Sequence, residues 1–291
     1  MTGIKIFSFG FGQVAKNFIK KLKFKNIKFE LCTTSRKETR DENLEDIYYK
    51  NFYFDEKRFD KNLLVNLERS DHILVSIPPI DGKDIVIKNF KEKLNNKRIK
   101  WITYLSATSV YGNHNGQWVD ENSETKPGSK NGIERLKAEK LWIEISKKYN
   151  LQLQIFRLSG IYSNQSNILK RLKTKEVKIV NKKNQFFSRI HLEDIANVLF
   201  KSLEIFQKGE IYNISDDKPA SMEEVINYGT KLLGVDKPKT IEVDQLENEM
   251  LRNFYKDSKK ISNKKMKKFF KYELKYPTYI EGLNNIYNNS I

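Results

Sequence analysis

Six residues near the start of the chain combine a glycine-rich turn with the beginning of a helix. The apolar run Ile4–Phe9 leads directly into Gly-Phe-Gly-Gln-Val-Ala at positions 10–15, and a helical pattern of apolar residues follows. Gly10 permits a tight turn, Gly12 lets the backbone approach a diphosphate, and the small Ala15 lets the helix pack closely on the strand. Amide groups at a helix start have no partner within the helix and can bind phosphate. The spacing therefore predicts a dinucleotide-binding turn, with these residues at the ligand: Gly10, Phe11, Gly12, Gln13 and Val14.

The end of the second predicted strand indicates which dinucleotide would bind. This strand, at 27–32, runs into Thr-Thr-Ser-Arg-Lys at positions 33–37, and no carboxylate follows until Glu38. An acidic residue at this place bonds the ribose 2′-hydroxyl of NAD, whereas an arginine accommodates the 2′-phosphate of NADP. Arg36 suits a forked, charge-assisted contact with phosphate, and Ser35 places a hydroxyl beside it. We therefore expect NADP in preference to NAD, the alternative being that Arg36 is an ordinary solvated loop charge.

The elements that must position these residues alternate between strands and helices. Strands are predicted at 4–9, 27–32, 51–54, 72–77, 99–105 and 151–158, and helices at 84–94 and 131–148, while the charged stretch Lys37–Asp46 is expected to be a loop or an exposed helix. This alternation is typical of a parallel sheet covered on both faces. The expected fold is α/β, a Rossmann-type doubly wound parallel sheet with a small C-terminal substrate lobe.

After Gly160 the pattern becomes less regular. Helices are predicted at 167–173 and 192–206, strands at 177–179 and 210–214, and a capping box at Ser221–Glu224 opens a helix that runs to Leu233. We expect residues 1–158 to form the dinucleotide-binding core, with 191–215 returning to it. Residues 159–190 and 216–291 are expected to form the smaller substrate-binding lobe.

Composition narrows the class of protein. The 291 residues include one cysteine, and neither a membrane-length apolar run nor a signal peptide is apparent, so the sequence favours a cytoplasmic protein without disulfides. The three histidines and the cysteine show no metal-ligand spacing, so no metal site is predicted. Net charge is +17, yet only ten of the 54 basic residues are arginine and the lysines are dispersed, so nucleic-acid binding is not expected. The sequence carries no signal for an oligomeric state.

Further short segments follow the glycine turn in a distinctive order. They are Leu74–Pro79, Tyr104–Gly112, Trp118–Glu121, Arg157–Tyr162, Ser188–Ala196, Tyr212–Asp217 and Tyr276–Leu283. The whole set resembles the NAD(P)-dependent epimerase/dehydratase-like proteins, in the extended and atypical branch of the short-chain dehydrogenase/reductase superfamily. The resemblance implies that the coenzyme is also contacted by Ser76, Ile77, Pro78, Ser106, Arg135 and Gly160.

The catalytic positions depart from that superfamily. Its members use a tyrosine and a lysine four residues apart on a helix, and a serine or threonine at a strand end. By this resemblance the matching positions are Asn131, Arg135 and Ala107. Asparagine cannot act as an acid or base near neutral pH, and arginine stays charged, although Arg135 could still hold ribose hydroxyls.

Three interpretations of this loss remain open. A neighbouring hydroxyl could transfer the proton, the proton could come from substrate or solvent, or the protein could bind NADP without turnover. The catalytic candidates are Ser106, Thr108, Tyr111 and Arg135, and the substrate-binding candidates are Tyr162 and Arg189. The resemblance implies an oxidoreductase or epimerase acting on a small hydroxylated metabolite, with a nucleotide sugar as one candidate. The alternative is a non-catalytic, NADP-binding redox sensor or regulatory protein.

Overall fold

The structure, a computed structural model, describes residues 3–247 and 249–289. Its strands are β1 Ile4–Phe9, β2 Phe29–Ser35, β3 Arg40–Leu44, β4 Ile47–Tyr53, β5 His72–Val75, β6 Trp101–Ala107, β7 Trp118–Val119, β8 Leu153–Leu158, β9 Gly160–Tyr162, β10 Ile179–Asn181, β11 Arg189–His191, β12 Ile211–Ile214, β13 Thr240–Glu242 and β14 Lys260–Ile261. Its α-helices are α1 Gln13–Phe24, α2 Leu63–Arg69, α3 Ile85–Leu94, α4 Lys130–Tyr149, α5 Ile168–Lys173, α6 Leu192–Glu204, α7 Met222–Leu233, α8 Glu249–Phe254, α9 Lys264–Phe270 and α10 Tyr279–Asn289.

Eight strands form one sheet in the order β12-β8-β6-β5-β1-β2-β4-β3. Strand β1 pairs in parallel with β2 on one side and with β5 on the other, and β2–β4 and β5–β6 are also parallel. The chain builds outward from β1 in one direction and then returns to continue from β5 in the other. This reversal defines a doubly wound sheet, and it confirms the Rossmann-type α/β prediction.

The expectation of a loop or exposed helix at Lys37–Asp46 was wrong. Residues Arg40–Leu44 form an edge strand that pairs antiparallel with β4. Glu45 and Asp46 make the connecting turn with φ values of 50° and 60°, as a two-residue hairpin turn requires. Charged side chains suit an exposed edge strand, and the backbone pairing that creates this strand comes from β4 rather than from local propensity.

The chain divides into two compact units. The first contains the chain through Ser106, together with Glu134–Arg157 and Ile195–Tyr212. Its core joins buried aromatic side chains of the sheet to α3, with Phe9 stacked on Phe90 at 5.2 Å between ring centroids. This packing holds the carboxyl ends of β1 and β5 in fixed positions.

The second unit contains Ala107–Ile133, Leu158–Asp194 and the chain from Asn213. Residues 107–133 cluster here rather than with the dinucleotide core expected at 1–158. Helices α5, α7 and α10 share one apolar core in this unit. The predicted capping box opens α7: the Ser221 hydroxyl accepts from the Glu224 amide at 3.0 Å, and the Glu224 carboxylate accepts from the Ser221 amide at 2.8 Å.

Over residues 3–247 and 249–289, none of the helices has both the length and the apolar character that crossing a membrane demands.

Candidate functional site

The glycine turn between β1 and α1 has the geometry of a phosphate-binding loop. Gly10 lies at φ +83°, and its amide donates to the Thr34 hydroxyl at 3.0 Å. A Cβ on Gly10 would lie 2.8 Å from Ser76 Oγ, so a side chain is excluded by both backbone conformation and space. Gly12 caps α1 without a side chain, and a Cβ added there would meet no heavy atom of the described chain within 4 Å. The start of α1 is therefore open to a diphosphate, and these residues fit a dinucleotide coenzyme.

Ser76, which follows β5, hydrogen-bonds the end of β1 beside this turn. Its hydroxyl lies within hydrogen-bond distance of the carbonyls of Phe9, at 3.1 Å, and Gly10, at 3.0 Å. Ile77 contacts the turn as well, since a Cβ on Gly10 would lie 3.0 Å from its Cγ1. Of the predicted coenzyme contacts, the structure thus brings the turn, Ser76 and Ile77 together, and the exposed Pro78 follows them in the chain.

The remaining turn residues divide between packing and exposure. Val14 is buried against the sheet, whereas Gln13 is exposed. The ring of Phe11 packs on Tyr49, with 4.9 Å between centroids. Phe11 and Gln13 therefore flank the open start of α1.

Ser35 and Arg36 lie where β2 ends. The Arg36 side chain is 71% exposed and forms an ion pair with Glu56 at 2.7 Å. The Ser35 hydroxyl accepts from the amide of Lys37 at 3.1 Å. Exposed ion pairs of this kind contribute little to stability, so the guanidinium remains available to a competing anion.

Ser106 belongs to a buried polar network in the first unit. Its hydroxyl donates to the carboxylate of Glu139, which forms a forked ion pair with Arg157 at 2.7 Å between Nη2 and Oε2. The Glu139 and Arg157 side chains are 1% and 5% exposed. The sequence motifs contained Arg157 but not Glu139, and they did not reveal this pairing because it joins positions on different elements.

Arg135 points into the same unit. One guanidinium nitrogen, Nη1, donates to the carbonyl of Leu105 at 2.7 Å. The guanidinium also lies near Tyr104, where its charge partly offsets the burial that raises the pKa of that phenol. Arg135 therefore supports the carboxyl end of β6 and has further N–H groups beyond the one bound to Leu105.

Thr108 and Tyr111 lie together in a short 3-10 helix of the second unit. Tyr111 is completely buried, and its hydroxyl donates to Asn213 at 2.8 Å. Thr108 is only half-buried. Asn131, which the sequence resemblance matched to the superfamily tyrosine as an expectation, is exposed.

The second unit contains a cavity of about 200 Å³ that collects both predicted substrate residues. Tyr162 and Arg189 line it, together with Arg171, Phe187, Met222 and Tyr279 among others. Gly160, the first residue of β9, also lines the cavity. Its amide donates to the carbonyl of Ser188 at 3.1 Å. These contacts place Gly160 in the second unit.

Tyr162 is positioned by packing, whereas Arg189 is positioned by hydrogen bonds to backbone carbonyls. The Tyr162 hydroxyl packs against Gly282 of α10, where an added Cβ would collide with it, and burial raises the pKa of this phenol. The Arg189 guanidinium is buried and donates through Nη1 to the carbonyls of Phe187 and Ala220, at 2.9 and 3.1 Å. Sequence reasoning did not reveal Arg171 or Met222 as neighbours of Arg189, since only the tertiary fold brings α5, α7 and β11 together.

Comparison with known proteins supports the fold and the family. The model of the NAD dependent epimerase/dehydratase family matches residues 88–215. The chain is similar to a functionally unknown conserved protein from Silicibacter pomeroyi, with 30% sequence identity, a TM-score of 0.86 and 99% of each chain covered. No curated protein matches it significantly.

Two solved structures show the same fold at lower identity. UDP-glucuronic acid 4-epimerase from Bacillus cereus, in complex with NAD, is 18% identical with a TM-score of 0.77, covering 98% of each chain. dTDP-glucose 4,6-dehydratase from Bacillus anthracis, in complex with NAD, is 18% identical with a TM-score of 0.77, covering 98% of this chain and 96% of the other. The glycine turn at the sheet reversal, the family match and the end-to-end likeness to the Silicibacter protein together establish that the chain belongs to the NAD-dependent epimerase/dehydratase family.

Proposed function

We propose that this protein is an NADP-dependent oxidoreductase or epimerase acting on a small hydroxylated metabolite, with a nucleotide-linked sugar as one candidate substrate. The observation that carries the proposal is the turn at Gly10–Gly12, because its backbone leaves the start of α1 open to a diphosphate. Two structures similar to this chain contain NAD together with UDP-glucuronic acid, which supports the same reaction class.

The coenzyme, when bound, supplies hydride transfer at its nicotinamide. The chain's own residues would bind and orient the reactants. Thr108 is the better of the two candidate hydroxyls for polarising a substrate oxygen, because Ser106 is buried and already donates to Glu139. The free N–H groups of Arg135 would hold the nicotinamide ribose, as the superfamily lysine does, while its Nη1 stays on Leu105.

The preference for NADP rests on Arg36. Its ion pair with Glu56 is exposed, so a 2′-phosphate can replace the carboxylate at little cost. Charge-assisted hydrogen bonds contribute about 1.5–3 kcal/mol, and about 1.4 kcal/mol corresponds to a tenfold change in affinity. We expect Arg36→Gln to weaken NADPH binding about tenfold or more and to leave NADH binding unchanged.

Calorimetric titration of both coenzymes tests this preference, and Lys37→Gln is the matched control. A wild-type protein that binds NADH as tightly as NADPH would refute the NADP preference. A wild-type protein that binds neither coenzyme would refute the proposed function as a whole.

A non-catalytic redox sensor is the second candidate. It is favoured because two of the candidate catalytic hydroxyls are already hydrogen-bonded to buried partners. Tyr111 is buried on Asn213, Ser106 is buried on Glu139, and Asn131 replaces the proton-transferring tyrosine. A sensor would bind NADPH and NADP⁺ with different affinities and would show no turnover. Nicotinamide absorbance during incubation with a panel of alcohols and nucleotide sugars separates the two candidates.

A further inference from the structure

The guanidinium of Arg189 is a buried charge. Its two strong bonds both come from Nη1 and end on backbone carbonyls. Among the described residues, the other terminal nitrogen, Nη2, has as its hydrogen-bond partner the thioether of Met222 at 3.9 Å. Within residues 3–247 and 249–289, no carboxylate oxygen lies within ion-pair distance of this guanidinium.

The carboxyl with the largest electrostatic influence on Arg189 is that of Asp216, and the two side chains form no ion pair within 4.0 Å. Asp216 is 1% exposed, and its Oδ2 has no hydrogen-bond partner in the described structure. Burial raises the pKa of the Asp216 carboxyl well above its usual range, although the nearby guanidinium of Arg189 acts in the opposite direction. The raised pKa favours the neutral form of this carboxyl. Arginine itself stays protonated in proteins, so the interior of this unit retains a positive charge. Buried charges are costly unless they are paired.

That charge faces the cavity. Arg189 and Met222 both line it, and the exposed Arg171 adds a second cation to its wall. The other walls include aromatic rings, among them Phe187 and Tyr279. The cavity therefore combines a buried cationic end with apolar sides.

Size restricts what can enter. The cavity volume of about 200 Å³ is below the roughly 300–1,000 Å³ of pockets that enclose drug-sized ligands. The cavity can enclose a small carboxylate or phosphate ester, whereas a nucleoside diphosphate sugar would extend out of its open side.

We infer that this cavity binds a small organic anion, a carboxylate or a phosphate ester, on the Nη2 side of Arg189. Identifying that anion as the substrate rests on the function proposed above, whereas its binding does not. The anion would supply the missing counter-charge, and the aromatic walls would contact its carbon skeleton.

Titration of the full chain without coenzyme tests the inference directly. The probes are malonate, glycerol 3-phosphate and UDP, and isothermal titration calorimetry measures the binding of each. We expect malonate or glycerol 3-phosphate to bind one to one, at least tenfold more tightly than UDP, and the tighter of the two identifies a carboxylate or a phosphate site. Failure of both small anions to bind, or UDP binding as tightly as they do, would overturn the inference. Because no coenzyme is present, this result is independent of NADP binding.

Met222 offers a sharper test, since its side chain lies against Nη2. Met222→Glu would place a tethered carboxylate on Arg189, at the first residue of α7, where an acidic side chain also favours the helix. We expect this variant to lose anion binding at least thirtyfold and to melt at a higher temperature than wild type. Met222→Gln, of the same size without the charge, is the matched variant and should lose at least tenfold less anion binding than Met222→Glu.

Equal anion binding by the glutamate and glutamine variants would contradict a site at Arg189. Arg189→Lys provides an independent variant that keeps the charge but loses the fork, and circular dichroism confirms its fold. We expect at least tenfold weaker binding from it. Unchanged affinity in this folded variant would also overturn the inference.

Discussion

At the scale of single residues, the structure shows that the hydroxyls near the expected catalytic centre are not equivalent. Ser106 and Tyr111 each donate to a buried partner, while Thr108 is half-buried at the end of β6. A hydroxyl that already holds a buried acceptor loses that bond if it turns to a substrate. Among these hydroxyls, that of Thr108 is therefore the one at which the proposed function is best tested.

Replacing Thr108 by valine keeps the shape of the side chain and removes its hydroxyl. Loss of one donor to a developing oxyanion typically lowers kcat by about 10²–10³. We expect a loss of this order for Thr108→Val, with the Kd for NADPH unchanged. Steady-state kinetics and coenzyme titration measure the two quantities, with Ser109→Ala as control. Full activity in the valine variant would remove Thr108 from the mechanism.

His191 gives a prediction about pH. Its ring packs between Tyr162 and Tyr276, and burial lowers its pKa from 6.5 to about 4. Between these two values the unfolded chain binds a proton that the folded chain does not, so the free energy of unfolding falls as the pH falls from 6.5 towards 4. Below about 4 both states are protonated, and this contribution falls no further.

The comparison with His191→Asn isolates this group, because asparagine can still accept from the amide that His191 binds, that of Glu193. We expect wild type to lose more stability than the variant between pH 7 and pH 4.5 in urea unfolding experiments. Parallel pH profiles for the two proteins would show that His191 titrates normally.

At the scale of elements, α10 is shaped around the ring of Tyr162. A Cβ on Gly282 would lie 2.1 Å from the Tyr162 hydroxyl oxygen, closer than real contacts allow. On Gly229 of α7 the nearest atom would be the flexible tip of Leu172, at 2.8 Å. Both glycines are helical, so an exchange to alanine gains the same helix propensity of about 1 kcal/mol.

We therefore expect Gly282→Ala to destabilise the protein by about 1–3 kcal/mol, the usual cost of overpacking. Gly229→Ala should cost clearly less, because the Leu172 tip can move aside. Thermal unfolding of both variants measures the difference. A Gly282→Ala protein as stable as Gly229→Ala would show that α10 can shift away from Tyr162.

At the scale of the whole molecule, coenzyme binding should stabilise the fold. A ligand that binds only the folded state at a hundredfold excess over its Kd contributes about 2.7 kcal/mol. We expect NADPH at this excess to raise Tm by several degrees, and Gly10→Ala to abolish the shift, because Gly10 lies at φ +83° beside Ser76. Differential scanning calorimetry measures both. A Tm that does not change with NADPH in wild type would contradict coenzyme binding.

Local sequence determined the features that need only neighbouring residues. The glycine turn at 10–15 and the capping box at Ser221–Glu224 form within a few positions of the chain, so their residue types specify them directly. The alternation of strands and helices likewise predicted a doubly wound sheet, because hydrophobic periodicity reflects which faces are buried.

Only the tertiary structure decided what the candidate side chains touch. Tyr111 meets Asn213 across 102 residues, and Arg189 meets the carbonyl of Ala220 across 31. The edge strand β3 likewise exists because β4 supplies its partners. Such contacts depend on packing between elements that are distant in the chain. The residue type alone does not show whether a charged or hydroxyl side chain is solvated or buried. The sequence therefore predicted the family resemblance and the glycine turn, while only the fold showed that Arg189 is buried beside a cavity, with no carboxylate oxygen of residues 3–247 and 249–289 within ion-pair distance.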